Sequence, residues 1–287
     1  MAYTTIDTST DHFNTKLHTG NGAEQAITGI GFQPDFTWIK KRNGTAVHYL
    51  FNAVSGATYF LNSDQDYAQQ DNAQSLKSFD SDGFTLGTMA GANNNSDTFV
   101  SWNWKAGTGA GSSNTDGSIN TTSTSVNTTA GFSVSKYTGT GSNATVGHGL
   151  GAVPKFIMVK DLGTSIDWLC YHSAIGATKN LRLNTNEQVD TSSTIWYNTE
   201  PTSSVFSIGT ATAVNAVGNN YIAYCFSEIP GFSIMGKHKG NGAVDGGFVY
   251  TGFKPAFVMV RYIDSGNGYD WIMYDNKRPN SSNPTPN

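Results

Sequence analysis

The 287-residue chain has a formal net charge of −4, with 13% of its residues charged and 37% hydrophobic. That balance offers no basic footprint for nucleic acid, and no apolar run approaches the roughly 20 residues needed to cross a bilayer. With 32 glycines and 12% aromatics, solubility must come from amide and hydroxyl side chains, the composition of short, turn-rich β-strands.

Met1 to Lys16 is polar and lacks the apolar segment of a signal peptide, so no membrane insertion or Sec-type export is expected. An extracellular role would need another route, such as lysis or assembly onto a particle. A first β-sandwich repeat is assigned to 1–105. Phe36-Thr-Trp-Ile-Lys40 alternates like a half-buried strand, and Ala46 to Phe51 forms a second one. Asn43-Gly44 between them predicts a two-residue type I′ hairpin. Phe84-Thr-Leu-Gly87 and Phe99 to Trp104 close the unit.

Residues 106–131 are Gly/Ser/Thr/Asn-rich, a linker or edge strand anchored by Ile119 and Val126. A second sandwich spans 132–230, in which Phe206-Ser-Ile-Gly209 matches Phe84 to Gly87 and Tyr221 to Phe226 matches Phe99 to Trp104. Residues 231–287 form a partial third repeat with no counterpart of Phe84 to Trp104. The three copies are tied together by Gly-x-Gly turns at Gly20, Gly139 and Gly240. Each leads to a Pro-x-Phe-x-x-x-basic segment, at Pro34 to Lys40, Pro154 to Lys160 and Pro255 to Arg261. Self-similarity of this kind marks a modular architecture. The fold class expected is all-β, with tandem antiparallel β-sandwiches of jelly-roll or concanavalin-like type. A half sandwich leaves an apolar face uncovered, so either the sequence stops inside a longer protein or a partner completes the third unit.

Chemistry is harder to find. Cys170 and Cys225 make no disulfide scaffold and are expected on opposite strand faces, one buried and one outward. The six histidines show no metal-ligand spacing, and His48 is expected to pack or face solvent. Asp80 and Asp82 could bind calcium through hard oxygens, but Asp-x-Asp-Gly is also ordinary turn chemistry, which is favoured. No catalytic residues and no other cofactor are assigned: Glu187, Asp190, Glu200 and Glu228 form no paired-carboxylate motif. The glycine runs at Gly107 to Gly111 and Gly147 to Gly151 lack the strand-to-helix context of a phosphate loop. Trp102, Trp104, Trp168 and Trp271 occupy repeated core positions, which leaves Trp196, Tyr197 and Asn198 as the glycan-contact candidates.

The Gly-x-Gly, Gly-Phe-x-Pro-x-Phe-x-x-x-Lys and Tyr-x-Ala-Tyr-x-Phe patterns resemble a repeated domain of tailed-bacteriophage structural proteins, frequent in phages of marine bacteria and cyanobacteria. Met1-Ala-Tyr-Thr-Thr-Ile, Tyr224 to Phe232 and Asp270 to Arg278 are similar to it as well. The resemblance implies a virion component, a tail fibre or other exposed appendage, and brings no catalytic residue; the leading expectation built on it is a non-enzymatic appendage contacting host polysaccharide. Its partners would be other virion proteins and further copies of itself, with a trimer as one possible form. The alternatives are a capsid decoration or head-fibre protein without a receptor role, and a polysaccharide depolymerase.

Overall fold

The computed structural model describes residues 4–263, 269–278 and 285–286. The Met1-Ala-Tyr start and most of the tail after Arg278 lie outside them. The first unit contains β1 (Phe13–Thr19), β2 (Gln25–Thr28), β3 (Phe36–Lys41), β4 (Tyr49–Asn52), β5 (Tyr59–Leu61), β6 (Gln70–Asp71), β7 (Leu76–Asp80), β8 (Gly83–Leu86), the short helix α1 (Ala90–Asn93) and β9 (Thr98–Trp104). A six-stranded sheet runs β1-β9-β3-β4-β5-β6, and a three-stranded sheet β2-β8-β7 packs on one face of it. Strand β9 therefore lies between β1 and β3, antiparallel to both.

The second unit repeats this plan with β10 (Ser123–Asn127), β11 (Phe132–Thr138), β12 (Ala144–Gly147), β13 (Pro154–Asp161), β14 (Leu169–His172), β15 (Lys179–Arg182), β16 (Asp190–Thr191), β17 (Val205–Ile208), α2 (Thr212–Asn215) and β18 (Asn220–Ser227). Its long sheet is β10-β11-β18-β13-β14-β15-β16, and β12 pairs with β17. The 106–131 segment is thus tied down, since β10 pairs with β11 and Ile119 bridges to Val146. The third unit has β19 (Phe257–Val260), β20 (Ile272–Asp275) and β21 (Thr285–Pro286) in one antiparallel sheet. The protein is all-β, built from antiparallel sheets packed as sandwiches.

Each of the first two units has its own core between its sheets. In the first, Ile39, Phe51 and Phe99 meet Ile27, Leu76 and Phe84. In the second, Ile157, Tyr171 and Cys225 meet Val146 and Phe206. The opposite faces of the long sheets are covered too. Phe36, Trp38 and Trp102 of the first unit, Met158, Trp168 and Tyr224 of the second, and Trp271 and Met273 of the third join in one shared core.

That second layer corrects two expectations. All five residues from Phe36 to Lys40 are buried, because alternation here sorts side chains between two cores rather than between core and water. Cys225 is not an outward thiol: both cysteines are free and buried, Cys170 in the shared core and Cys225 in the second unit's own. Burial pushes both thiols well up.

Polar groups lock the units in a regular way. Trp168 Nε1 donates to Asn62 O at 2.9 Å, and Trp271 Nε1 donates to Arg182 O at 3.0 Å. Trp168 and Trp271 hold one repeat position, Asn62 and Arg182 another, so the third unit grips the second as the second grips the first. The repeated basic residue is also structural. Lys40 Nζ donates to Ala46 O, Lys160 Nζ donates to Thr164 O at 3.1 Å, and an Arg261 guanidinium nitrogen donates to Thr185 O at 2.9 Å. Burial lowers the Lys160 ammonium to about 8.

The Asn43-Gly44 turn is not a two-residue hairpin. The β3–β4 ladder ends at Ile39↔Tyr49, and neither residue has positive φ. Asn43 instead uses its side chain on the start of β9, accepting from Thr98 N at 3.1 Å and donating to Asp97 at 3.2 Å. His48 is packed inside, its Nδ1 accepting from Trp38 Nε1 at 2.7 Å.

Candidate functional site

The two complete units differ after β6 and β16. Up to that point they agree closely. Gly87 N donates to Ser75 O and Gly209 N to Ile195 O, both at 2.7 Å, so Leu76 and Trp196 are structural equivalents. Both are buried, at 0% and 2% exposure. In the first unit the chain continues as β7. In the second it turns at once, with Tyr197 and Asn198 each at φ 49°. Two successive side-chain-bearing residues in the left-handed region cost on the order of 1–3 kcal/mol each, and such strain persists only where the surroundings impose it.

The surroundings do so from below. Trp196 packs edge-on against Tyr171, with ring centroids 6.1 Å apart. Thr199 N donates to Trp196 O at 3.1 Å, and the Thr199 hydroxyl donates to Tyr197 O at 2.9 Å. Glu200 fastens the far side, accepting from the Tyr171 hydroxyl and, at 2.8 Å, from Ala177 N. Burial first, and the Glu200 carboxylate second, push the Tyr171 phenol well up. The outcome is a loop fastened on both sides that presents Tyr197, half-exposed at 50%, beside the exposed Asn198. A flat amphipathic ring next to an amide can stack on one ligand face and hydrogen-bond its edge.

Trp196 itself is corrected: its ring is the buried anchor of this loop and offers no stacking surface. The fastening role of Glu200 was not foreseen from sequence. A signal for the altered loop was present, because the proline-to-Phe interval is two residues longer in the second unit, Pro154 to Phe206 against Pro34 to Phe84.

The other candidates are engaged in holding the chain. Asp80 accepts from the Ser78 and Thr85 hydroxyls at 2.8 and 2.7 Å. Asp82 accepts from Gly29 N and Gly31 N at 2.9 and 2.7 Å, and these backbone bonds hold its carboxyl below the usual range. Gly83, the first residue of β8, sits at φ 150°, where an added Cβ would lie 1.9 Å from Ile27 O. This is turn chemistry, and among the described residues no three of His, Cys, Asp and Glu gather as a metal-binding set. The glycine run after Lys105 does cradle an anion, but it is the chain's own Asp35, which accepts from Ala106 N (2.7 Å), Thr108 N (3.0 Å) and Gly109 N (2.6 Å). Burial nonetheless raises the Asp35 carboxyl.

No helix among the described residues is long and apolar enough to cross a membrane. No curated protein and no solved structure matches the chain. A family described as a domain of unknown function (DUF7483) matches residues 8–286, nearly the whole length, and the chain belongs to that family.

Proposed function

We propose that the chain is a non-enzymatic virion surface protein, a tail fibre or similar appendage, whose Tyr197–Asn198 loop contacts glycan on the host envelope. The observation that carries this reading is an exposed aromatic and an amide held in strained backbone, on a loop where the second unit departs from the first. Strain of that kind concentrates at functional sites. The resemblance of the repeat motifs to phage structural proteins supports the virion setting. One tyrosine and one asparagine give a weak single-site affinity. Several copies on a particle would raise it through effective concentration.

The test has two arms. Purified protein is passed over immobilised host polysaccharide, where Tyr197→Ala should lose retention at unchanged folding. Equal retention of both proteins, or none of the parent, overturns the glycan role. Immunogold electron microscopy of virions then distinguishes placement: label at the tail or its fibres supports an appendage, and label over the head overturns it. A second reading, a head decoration held by apolar contacts, is favoured by Phe248 and Tyr250 of the third unit, which are 90% and 76% exposed.

A further inference from the structure

The turns that follow β2 and β12 are closed in two different ways. The ladders Thr28↔Gly83 and Gly147↔Val205 put Asp82 and Ser204 at one repeat position. In the first unit Asp82 receives the whole turn. Gly29 N and Gly31 N donate to its carboxylate at 2.9 and 2.7 Å, and Ile30 N donates to its carbonyl at 3.3 Å. Ser204 has no carboxylate to offer. The second turn instead carries one residue more. Gly149 and Gly151, at φ 70° and 68°, repeat Gly29 and Gly31, at 77° and 93°, and His148 is the extra residue between Gly147 and that pair.

His148 is fully buried, and its bonds run to backbone. Its N donates to Ser204 O at 3.2 Å. Its Nδ1 accepts from Leu150 N at 3.2 Å, and its Nε2 donates to Thr202 O at 3.2 Å. These partners fix the tautomer, because a main-chain N–H can only donate and a carbonyl can only accept. Thr202 lies on the segment 196–204 that carries Tyr197 and Asn198. Trp196 anchors the start of that segment and Glu200 its middle. His148 ties its end to the turn after β12.

The tie needs a neutral ring. A proton added at Nδ1 would face the Leu150 N–H, donor against donor, and would place a charge in a buried site. Burial lowers the imidazole, against weaker opposing pulls from the Thr202 carbonyl and the Asp116 carboxylate. Asp116 comes from the 106–131 segment. The turn, β12 and β17 carry no other ionisable side chain. Strand β11 reaches Gly147 O through Ser135 Oγ at 3.3 Å, with Lys136 on its opposite face and the Tyr137 hydroxyl donating to Val214 O. Glu200 is held by Tyr171 and Ala177. The hold of His148 is therefore complete above about pH 6.5 and is lost as pH falls through the lowered value. Asp82 sits below the usual carboxylate range, so the first unit's turn stays closed over the same interval.

We propose that His148 is an acid-release latch on the Tyr197–Asn198 loop. A neutral ring holds the loop in its left-handed conformation. Protonation frees Leu150 N and the end of segment 196–204, the loop relaxes, and its ligand is released. The effect on binding rests on the glycan-contact reading, whereas the latch rests on the bonds of His148 alone.

The test measures amide exchange of the full chain at about pH 7.5 and about pH 5.5, corrected for intrinsic rates with unstructured peptides. One proton linked to a group of ordinary pKa near 6.5 shifts an opening equilibrium by up to about tenfold over that interval. Protection at His148, Leu150, Thr199 and Thr202 should drop by about three- to tenfold, while protection at Gly29, Ile30 and Gly31 stays level. His148→Gln, whose amide does not titrate, should remove the pH dependence. If that variant is loose at both pH values, the parent decides: the His148 ring resonances must titrate together with the loss of protection. Level protection in the parent, a ring midpoint apart from the loosening, or the same drop in the glutamine variant overturns the latch. Retention on host polysaccharide should fall in step with protection, and unchanged retention on a loosened segment overturns its control of binding. No retention at either pH overturns the glycan reading alone, because the exchange measurement uses no ligand.

Discussion

Replacing Trp168 by alanine should destabilise all three units at once. The side chain is fully buried, lies 6.2 Å from the Tyr224 ring and donates to Asn62 O of the first unit. Truncating a buried tryptophan costs roughly 3–5 kcal/mol, and the orphaned carbonyl pushes the value toward the upper end. At about 2.1 cal/mol/K per residue, the whole chain unfolds with an entropy near 0.6 kcal/mol/K. The midpoint should therefore fall by roughly 5–8 °C in scanning calorimetry. Hydrogen exchange at Phe36–Lys41, in the first unit, should quicken in step with exchange at Pro154–Asp161. Two calorimetric transitions, with the first unit's unmoved, would refute the shared core and return the protein to independent beads on a linker.

Four further outcomes are expected. Gly83→Ala should cost at least about 2 kcal/mol, since its Cβ would strike Ile27 O at 1.9 Å; urea denaturation checks this, and a near-neutral result contradicts the β2–β8 geometry. Tyr197→Gly should raise stability by about 1 kcal/mol by relieving left-handed strain while weakening polysaccharide retention; a loss of stability would show that the strain is not there. Cys170 and Cys225 should resist a thiol reagent in the native state and both react in denaturant; prompt native labelling of either contradicts its burial. Burial holds His18, His148 and His172 below the ordinary imidazole range, so the unfolded chain takes up protons first as pH falls. Their contribution is complete above about pH 6.5 and is lost progressively below it. Asp35 and Asp64, raised by burial, act in the opposite sense, their contribution being lost as pH rises past the ordinary carboxylate range. Urea midpoints from pH 7.5 to 5 test the histidines, and His148→Gln should flatten the slope.

The strands and their order of repetition were legible because the two complete units write the same apolar positions once each, from Phe36 and Phe156 to Trp104 and Phe226. What periodicity could not say is what covers each face. Thr37 and Ser101 look like solvent-side residues, yet both are buried, and Thr37 donates to Asn103 at 3.1 Å inside the sheet. A pattern of period two reports that two faces differ, not that one of them is wet. The same blindness turned Trp196 into an apparent ligand contact, because a large aromatic outside the repeated strands looks exposed until the strand beneath it is known. Asn43-Gly44 misled for a different reason: its turn propensity is local, whereas its partner Thr98 lies 55 residues away. The loop that does stand out, Tyr197–Asn198, differs by an insertion, and an insertion is visible in spacing even where its conformation is not.

The shared core also dictates when the protein can become itself. Its cross-unit bonds join residues 106, 172 and 173 positions apart, so the aromatic face of the first sheet is covered in stages, by the second unit and then by the third. At synthesis rates of about 5–20 residues per second, Trp102 waits roughly 10–30 seconds for Asp275. During that interval Trp38, Trp102 and Phe36 form a greasy surface on an otherwise finished sandwich, open to the same face of any nascent chain nearby. On a crowded polysome the hazard is association of such faces between neighbouring nascent chains before each has folded on itself. Ordered, single-chain closure is therefore a race, and a chain with only 13% charged residues has little self-repulsion to hold its competitors off.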